Sequence, residues 1–595
     1  MRTQSLARSL TVLLVLSMCL SAQAQILRPV GENEPTILVT GHRESTARMS
    51  NWHMAETPHV VVFSQRDEAR LREIARDLEK LHFLLSVLHN RVDAPDDTIK
   101  ITVTMIGDIG TFEHMQLTEL RWQYGPFAKR FEKTLYYDPR EEGSVLTTTR
   151  DGVRIMVTPS PSPFFRRDCD PRSADFSALP FVRYSINPIT GEAIIDPHES
   201  LPQFYVDQHT ICQSAESRIY AGFAQNYLMT YFPAAYPRWF LQGFGEIFAT
   251  LKTGANFVEF GRVPSGFGRA LQHYGGYSVS HVLDGQYLSG TGRPWTPYHA
   301  WRLVHLLYFS DEWKPRLDDY LNELANGADL QTAALALGNP DELQRAFNAY
   351  RGRKLASTRI TFEPGRIPEP TIRRLTRAEA ALIQGRLELG ARVEIPTEEG
   401  PERTKALARR EAWLNRLRDN ARRFPNLIEH QLLLAEAECR TYNADECLAA
   451  AERALERAPT DRTALVWKGT ALAQLAVRGP VAERQERLKE ARRLIVQANR
   501  TDPQDFLPII AYHNTFTIAD EPVPDIAMEG IAKVVVSAPA APTARLKLGQ
   551  ELVKRGLKDA TRITLLPVAK GPFNTPEQPT ADALLQQAMT TTPER

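Results

Sequence analysis

The stretch Ile219–Lys252 constrains this chain more than any other. It reads IYAGFAQNYLMTYFPAAYPRWFLQGFGEIFATLK. Apolar residues dominate both halves, and Pro233 and Pro237 punctuate the middle. Proline stops a helix and is tolerated where another begins. The stretch therefore predicts two helices, one over about 216–231 and one over about 236–251, joined by a proline-bounded turn. Ile219, Phe223, Tyr227 and Leu228 lie about one turn apart, which predicts a core-facing side for the first helix.

The layout resembles the core of gluzincin-type zinc peptidases. Those carry HExxH on one helix and a W-x-x-E-G-[FLY]-A-E segment on the next. Trp239, Gly243, Phe244 and Glu246 match the second segment. HExxH works because two His at i and i+4 share a helix face and bind zinc together, while the adjacent Glu activates the metal-bound water. Laid on this chain, the motif puts Gly222 and Asn226 at the His positions, Phe223 at the Glu position and Gln242 at the third ligand. Glycine offers no ligand, phenylalanine takes no proton, and amides are poor zinc ligands. The resemblance thus implies a peptidase fold without its metal and without catalysis, and no cofactor is expected. Glu246, one turn beyond Gln242, is retained and reads as a helix-face or supporting carboxylate rather than a zinc ligand.

No other metal or nucleophile pattern replaces it. The chain contains no H-x-x-x-H and no G-x-S-x-G. His198-Glu199 is followed by Pro202 where a second His would stand, so it is not a displaced motif. His299 and His305 are six apart and do not share a helix face, and His305 reads as a core histidine. His198, His209, His273 and His281 are spread over loops.

At 595 residues the chain exceeds one core, and several domains are expected. A net charge of +1 gives no general attraction to nucleic acid or anionic membrane. Arg2 and Arg8 precede the apolar run Leu10–Leu20, and Ala22-Gln23-Ala24 follows. This predicts a signal peptide over 1–24 and export to a bacterial periplasm or beyond. Apart from that run, which is short for a bilayer span, no transmembrane stretch occurs. Met18 before Cys19 argues against a lipid anchor. Cys169, Cys212, Cys439 and Cys447 remain after cleavage. Export allows two disulfides. Cys439 and Cys447 would staple a helix turn, and Cys169 with Cys212 would pair by elimination. Four free thiols are the alternative.

In order, 25–50 reads as an irregular leader. Residues 51–210 read as an α/β subdomain, with strands at His59–Ser64 and Ile99–Ile106 around a helix at Asp67–Leu88. Asn51-Trp52 and Glu56-Thr57-Pro58-His59 resemble the opening of the same peptidase group. A further strand falls at Gly152–Val157. Residues 211–355 read as the helical gluzincin-like core, with a short strand near Phe257–Val263, a loop over Gly275–Gly290 and a helix at Tyr298–Phe309. In that helix Trp301, Leu303, Val304, His305 and Leu307 resemble the W-x-L-V-H-x-L helix of the group. Residues 356–375 carry Pro and Gly turn signals and read as a linker.

From Thr376 the texture changes to Ala, Leu, Arg and Glu. Pro425-Asn426 and Pro459-Thr460 are 34 residues apart, as are the small residues Ala435 and Gly469. Ala451, Ala454 and Ala458 suit a second helix. An insertion around Val477–Arg487 offsets a third unit, which Pro503 closes, and Pro539 lies a similar distance on. This resembles tetratricopeptide repeats over 376–566, an α-solenoid in which small residues let paired helices approach and stacking buries a shared core. Residues 567–595 read as a fraying tail.

The expected whole is an α+β part and a helical gluzincin-like core followed by tetratricopeptide-like repeats. The function expected is non-catalytic binding of protein or peptide in the cell envelope. A zinc peptidase with relocated ligands and a purely structural repeat scaffold are the competing readings.

Overall fold

Strand β1 (Met49–Glu56) turns through Thr57, whose N–H donates to Val60 O at 2.9 Å, into β2 (Val60–Ser64). β2 then lies parallel to β3 (Ile101–Ile106). A parallel pair needs a crossover, and helix α1 (Glu68–Leu88) supplies it. Its Leu71, Ile74, Leu78, Leu81 and Leu85 recur at helical spacing and are buried. β4 (Val145–Thr148) and β5 (Arg154–Pro159) form an antiparallel pair, with β5 parallel to β3. β6 (Tyr184–Ile186) and β7 (Ala193–Ile195) pair separately.

The computed structural model describes residues 48–65, 68–94, 100–106, 145–148, 154–159, 184–186, 193–195, 215–263, 278–283, 297–350, 355–393, 395–539, 541–571 and 577–590. The stretch expected as a signal peptide, most of that expected as a leader, Cys169, Cys212, His198, His209 and His273 lie outside them.

Helices α2 (Ala215–Tyr231) and α3 (Arg238–Ala249) flank the proline-bounded turn, close to the expected bounds. β8 (Lys252–Thr253) and β9 (Phe257–Phe260) follow, then a one-turn helix at Val279–Leu283, inside the stretch expected as loop. α4 (Pro297–Phe309), α5 (Lys314–Ala325) and α6 (Pro340–Ala349) complete the globular half. Its core gathers Phe223, Tyr227, Trp239, Phe244, Phe248, Phe260, Trp301 and Tyr320, all fully buried.

The stretch expected as a linker carries two strands. β10 (Thr358–Thr361) pairs with β9, and β11 (Thr371–Thr376) pairs with β1 at the edge of a six-stranded sheet ordered β11-β1-β2-β3-β5-β4. β11 reads TIRRLT and buries only Leu375, and β1 likewise buries only Trp52 and Ala55. Their pairing is made by backbone groups, so neither leaves a two-residue hydrophobic alternation to read.

Beyond β11, Thr376 and Glu379 form a capping box that starts α7 (Arg377–Leu387). α8 (Pro401–Arg423) leads into four helix pairs: α9 (Ile428–Arg440) with α10 (Ala444–Arg457), α11 (Arg462–Arg478) with α12 (Val481–Thr501), α13 (Phe506–Ile518) with α14 (Asp525–Ser537), and α15 (Pro542–Lys554) with α16 (Lys558–Ala569). Each helix packs on the next, and the first helices also touch, α9 on α11 and α11 on α13. The small residues sit where helices meet. Ala435 is fully buried, and a Cβ at Gly469 would lie 2.7 Å from Ile495 Cγ1 and 2.8 Å from Ala491 O. The insertion near Val477–Arg487 is absorbed into α12, which reaches 21 residues where α10 has 14.

Within the region expected to fray, most of the described residues are helical. α16 runs through Pro567 to Ala569, and α17 (Gln578–Thr590) buries Ala581, Leu585 and Ala588. Ala581 and Leu585 join Leu565, Leu566, Val568 and Ala569 in an apolar cluster, one that also takes in Ala235 from the turn between α2 and α3. The far end of the array thus lies against the globular half. A proline-rich composition concealed this, because proline fits at a helix start and α16 tolerates Pro567 near its end.

Cys439 at the end of α9 and Cys447 in α10 are bonded, closing a loop eight residues apart in sequence. Cross-linking a loop this short restricts the unfolded chain by about 2.5 kcal/mol. Replacing both by Ser is therefore expected to lower the stability of this helix pair by about that much. Urea unfolding of the full chain reads it, and an unchanged midpoint would show that the bond does not form in solution.

Candidate functional site

The α2–α3–α4 trio carries Gly222, Phe223, Asn226, Gln242 and Glu246, the residues the sequence comparison set against the zinc motif. α3 is wedged between its neighbours, and two glycines make room on opposite sides. A Cβ at Gly245 would lie 2.8 Å from Ala221 O and 2.7 Å from Gln225 Nε2 on α2. A Cβ at Gly243 would press on the Ala300 carbonyl of α4 and lie 2.5 Å from Val304 Cγ2. Trp239 and Trp301 fill the layers around these contacts.

Gly222, Phe223, Asn226, Gln242 and Glu246 are all buried on the helices expected to carry them. Thr230 Oγ1 donates to Asn226 O at 2.7 Å and lies 3.1 Å from Asn226 Oδ1. Gln242 Oε1 has no hydrogen-bond partner among the described residues. Glu246 is 2% exposed, on the helix face expected to carry it. Zinc takes His nitrogen, Cys sulfur or carboxylate oxygen. This set offers two neutral amides, a phenyl ring, a glycine and one carboxylate, and does not fit the ion. Among the described residues no group of three or more His, Cys, Asp or Glu could hold a metal.

His305 occupies the core. Its Nδ1 lies 2.7 Å from the Tyr350 hydroxyl, and its Nε2 lies 2.9 Å from Gly261 O and 3.0 Å from Ala356 O. Nε2–H can donate to those carbonyls while Nδ1 accepts from Tyr350, and burial holds the imidazole below its usual range. That is a neutral ring with both nitrogens engaged.

A second polar cluster escaped the sequence reading. Thr57 Oγ1 donates to Glu79 Oε2 at 2.6 Å, and His59 Nδ1 lies 2.6 Å from Glu79 Oε1. Burial raises the Glu79 carboxyl, but the bonds from His59 and Thr57 outweigh it and hold it below the usual value. The His59 ring stacks on His82 at 4.0 Å, His82 meets Tyr227 edge-on at 5.3 Å, and Ser86 Oγ lies 3.1 Å from Tyr227 OH. Nearby, burial together with Lys314 and Arg91 pushes His89 down to about 4. The cluster ties the β1–β2 turn and α1 to α2. Glu79 and His82 are three apart on one helix, the signal that could have found them.

In the array, several buried polar atoms on neighbouring first helices lack a hydrogen-bond partner among the described residues. They are Trp467 Nε1 and Gln474 Oε1 on α11, and both ring nitrogens of His513 on α13. Burial, with Lys547 and Lys554, pushes His513 down to about 4, and the neighbouring Asn514 side chain offsets this only in part. The ring is therefore neutral at pH 7.

Fold and site together define a mostly helical protein with a small N-terminal sheet and a C-terminal array of helix pairs. No protein-family model matches the chain. No curated protein matches it. Among solved structures it is similar to a thermophilic TPR protein of Thermus thermophilus, at 16% identity over 36% of this chain and 100% of that one, with a TM-score of 0.28. A score of that size carries no argument, and the repeat reading rests on the helix pairs themselves. Among the described residues no helix is long and apolar enough to cross a membrane.

Proposed function

We propose that this is an exported, non-catalytic protein that binds protein or peptide segments through its tetratricopeptide-like array. The observation that carries the reading is the run of buried, unsatisfied donors and acceptors on α11 and α13. Buried polar groups are normally paired, and an extended peptide backbone supplies both a donor and an acceptor at every residue. Trp467 Nε1 would donate to it, Gln474 Oε1 would accept from it, and the neutral His513 ring can do either.

The globular half is, on this reading, a gluzincin-like scaffold that has kept its helix packing and lost its metal chemistry. Trp239, Gly243, Phe244 and Trp301 support it by building the α2–α3–α4 trio, while Gly222, Phe223, Asn226 and Gln242 supply no ligand or base. Elemental analysis of protein expressed with zinc decides this part. We expect no bound zinc, and a stoichiometric ion retained through dialysis would sink it.

Peptide-library selection on the full chain tests the binding surface. Selected peptides are expected to bind Gln474→Leu and His513→Leu about tenfold more weakly, since each removes one buried partner worth about 1.4 kcal/mol. Both variants should be at least as stable as the parent, because an unsatisfied polar group is exchanged for an apolar one. Peptides that bind variants and parent equally would remove α11 and α13 from the site.

A further inference from the structure

The two ends of the helical array are attached to the globular half very differently. At the start, β11 extends the six-stranded sheet through a ladder with β1 running from Glu56↔Thr371 to Met49↔Thr376. Side chains reinforce it: Arg76 Nη2 lies 2.6 Å from Glu369 Oε2, and Arg72 Nη1 donates to Pro370 O at 3.3 Å. Arg377 N–H also donates to Arg48 O at 2.8 Å. This end is continuous with the core.

At the far end the attachment is small. Ala235, in the turn between α2 and α3, contributes one methyl group to the cluster of Leu565, Leu566 and their neighbours. Arg562 donates a hydrogen bond to Asn326 O at the end of α5. The next residue is Gly327, at φ +95°, a conformation that favours glycine. A Cβ there would press on the Arg562 guanidinium and lie 3.4 Å from Leu566 Cδ2. Among the described residues, Ala235 and Gly327 thus line this seat on the globular side.

We infer that α16 and α17 act as a latch: the array pivots on the β1–β11 ladder and docks reversibly at Ala235 and Gly327. The physical reason is the asymmetry of the two ends. The β1–β11 ladder is bonded by backbone groups along the strand and reinforced by Arg72 and Arg76, whereas a contact built, among the described residues, on one methyl group and one side-chain hydrogen bond opens locally at lower cost. The latch unit holds together without the seat. Thr543 Oγ1 donates to Glu577 Oε1 at 2.9 Å, Gln578 Nε2 donates to Ala569 O at 3.3 Å, and Lys570 pairs with Asp582. α17 packs on both α15 and α16.

The consequence follows from how repeat arrays deform. Each unit touches only its neighbours, so small rotations accumulate along the array. An array fixed at both ends cannot use that freedom, and one released at its far end can. With the latch shut, the spacing of α11 and α13 is held in one geometry. With it open, the spacing adapts. This consequence for binding rests on the function proposed above, whereas the latch itself does not.

Hydrogen exchange on the full chain tests it, with Arg562→Glu and Ala235→Arg as separate variants. Arg562 is half-buried at the seat, and its replacement removes the bond to Asn326 without touching the core. Both variants are expected to raise exchange at least tenfold in 232–237 and 324–328 together with α16 and α17. The α9–α12 helices should be unchanged, and the radius of gyration by small-angle scattering should increase. Unchanged exchange at the seat in Arg562→Glu would overturn the latch. So would faster exchange spreading through α9–α12, which would make the far contact part of one cooperative fold. If the latch moves as expected while selected peptides ignore Gln474→Leu and His513→Leu, the binding proposal fails and the latch stands.

Discussion

Gly243→Ala is expected to destabilise the globular half by about 3 kcal/mol, although a mid-helix Gly→Ala change ordinarily gains about 1 kcal/mol from helix propensity. The added methyl has nowhere to go. It would meet the Ala300 carbonyl, which belongs to the backbone of α4, and Val304 Cγ2 at 2.5 Å. A carbonyl within a helix cannot rotate away as a flexible side-chain end can, so α3 and α4 must separate. That opens the layer holding Trp239 and Trp301, both fully buried. Gly245→Ala should cost less, because its nearest neighbour is the flexible end of Gln225 and its backbone contact, Ala221 O at 2.8 Å, is looser than that of Gly243 with Ala300. Guanidinium unfolding followed by tryptophan fluorescence reads the effect. A midpoint that rises with Gly243→Ala would mean that α3 and α4 do not meet at Ala300.

The second large effect is expected at Glu438. Its side chain is fully buried between α8 and α9, where Arg418 Nε donates to Oε1 at 2.8 Å and Asn443 Nδ2 donates to Oε2 at 2.7 Å. Removing one member of a buried ion pair leaves the other charge uncompensated, at a cost of about 3–5 kcal/mol. Arg418 is partly exposed and keeps Glu411 at 2.9 Å and Asn415 at 3.0 Å. Glu438→Ala should therefore fall at the lower end, about 3 kcal/mol. Glu438→Gln should recover part of it, since an amide oxygen still accepts from Asn443. Urea unfolding by circular dichroism distinguishes these cases. A loss under about 1 kcal/mol would place Glu438 among ordinary solvated pairs.

These predictions fall in the two regions where the sequence was most legible. The Gly243 contact lies in the stretch with the strongest helical signal, and the notable residues there, Trp239, Phe244 and Phe223, are core. The repeat spacing was legible because Ala435 and Gly469 must be small for paired helices to approach. The Glu79–His59 cluster was not legible. Its members come from a turn and a helix twenty residues apart, and only the fold brings Tyr227 beside them. Glu246 illustrates the same limit. Its place on a helix was readable, but its burial depends on what packs over α3.

The sequence by itself determined the local facts. Pro233 and Pro237 separate two helices, and the helical period of α1 faces one way. Each follows from residue chemistry or from one-sided burial, which leaves a period in the chain. Tertiary structure alone decided that Thr371–Thr376 would close a sheet begun at Met49, and that a proline-rich tail would return to Ala235. Strand pairing uses backbone groups that every residue has, and docking on alanine and glycine uses the absence of side chains. Neither writes a pattern into the sequence, so both had to be seen in three dimensions.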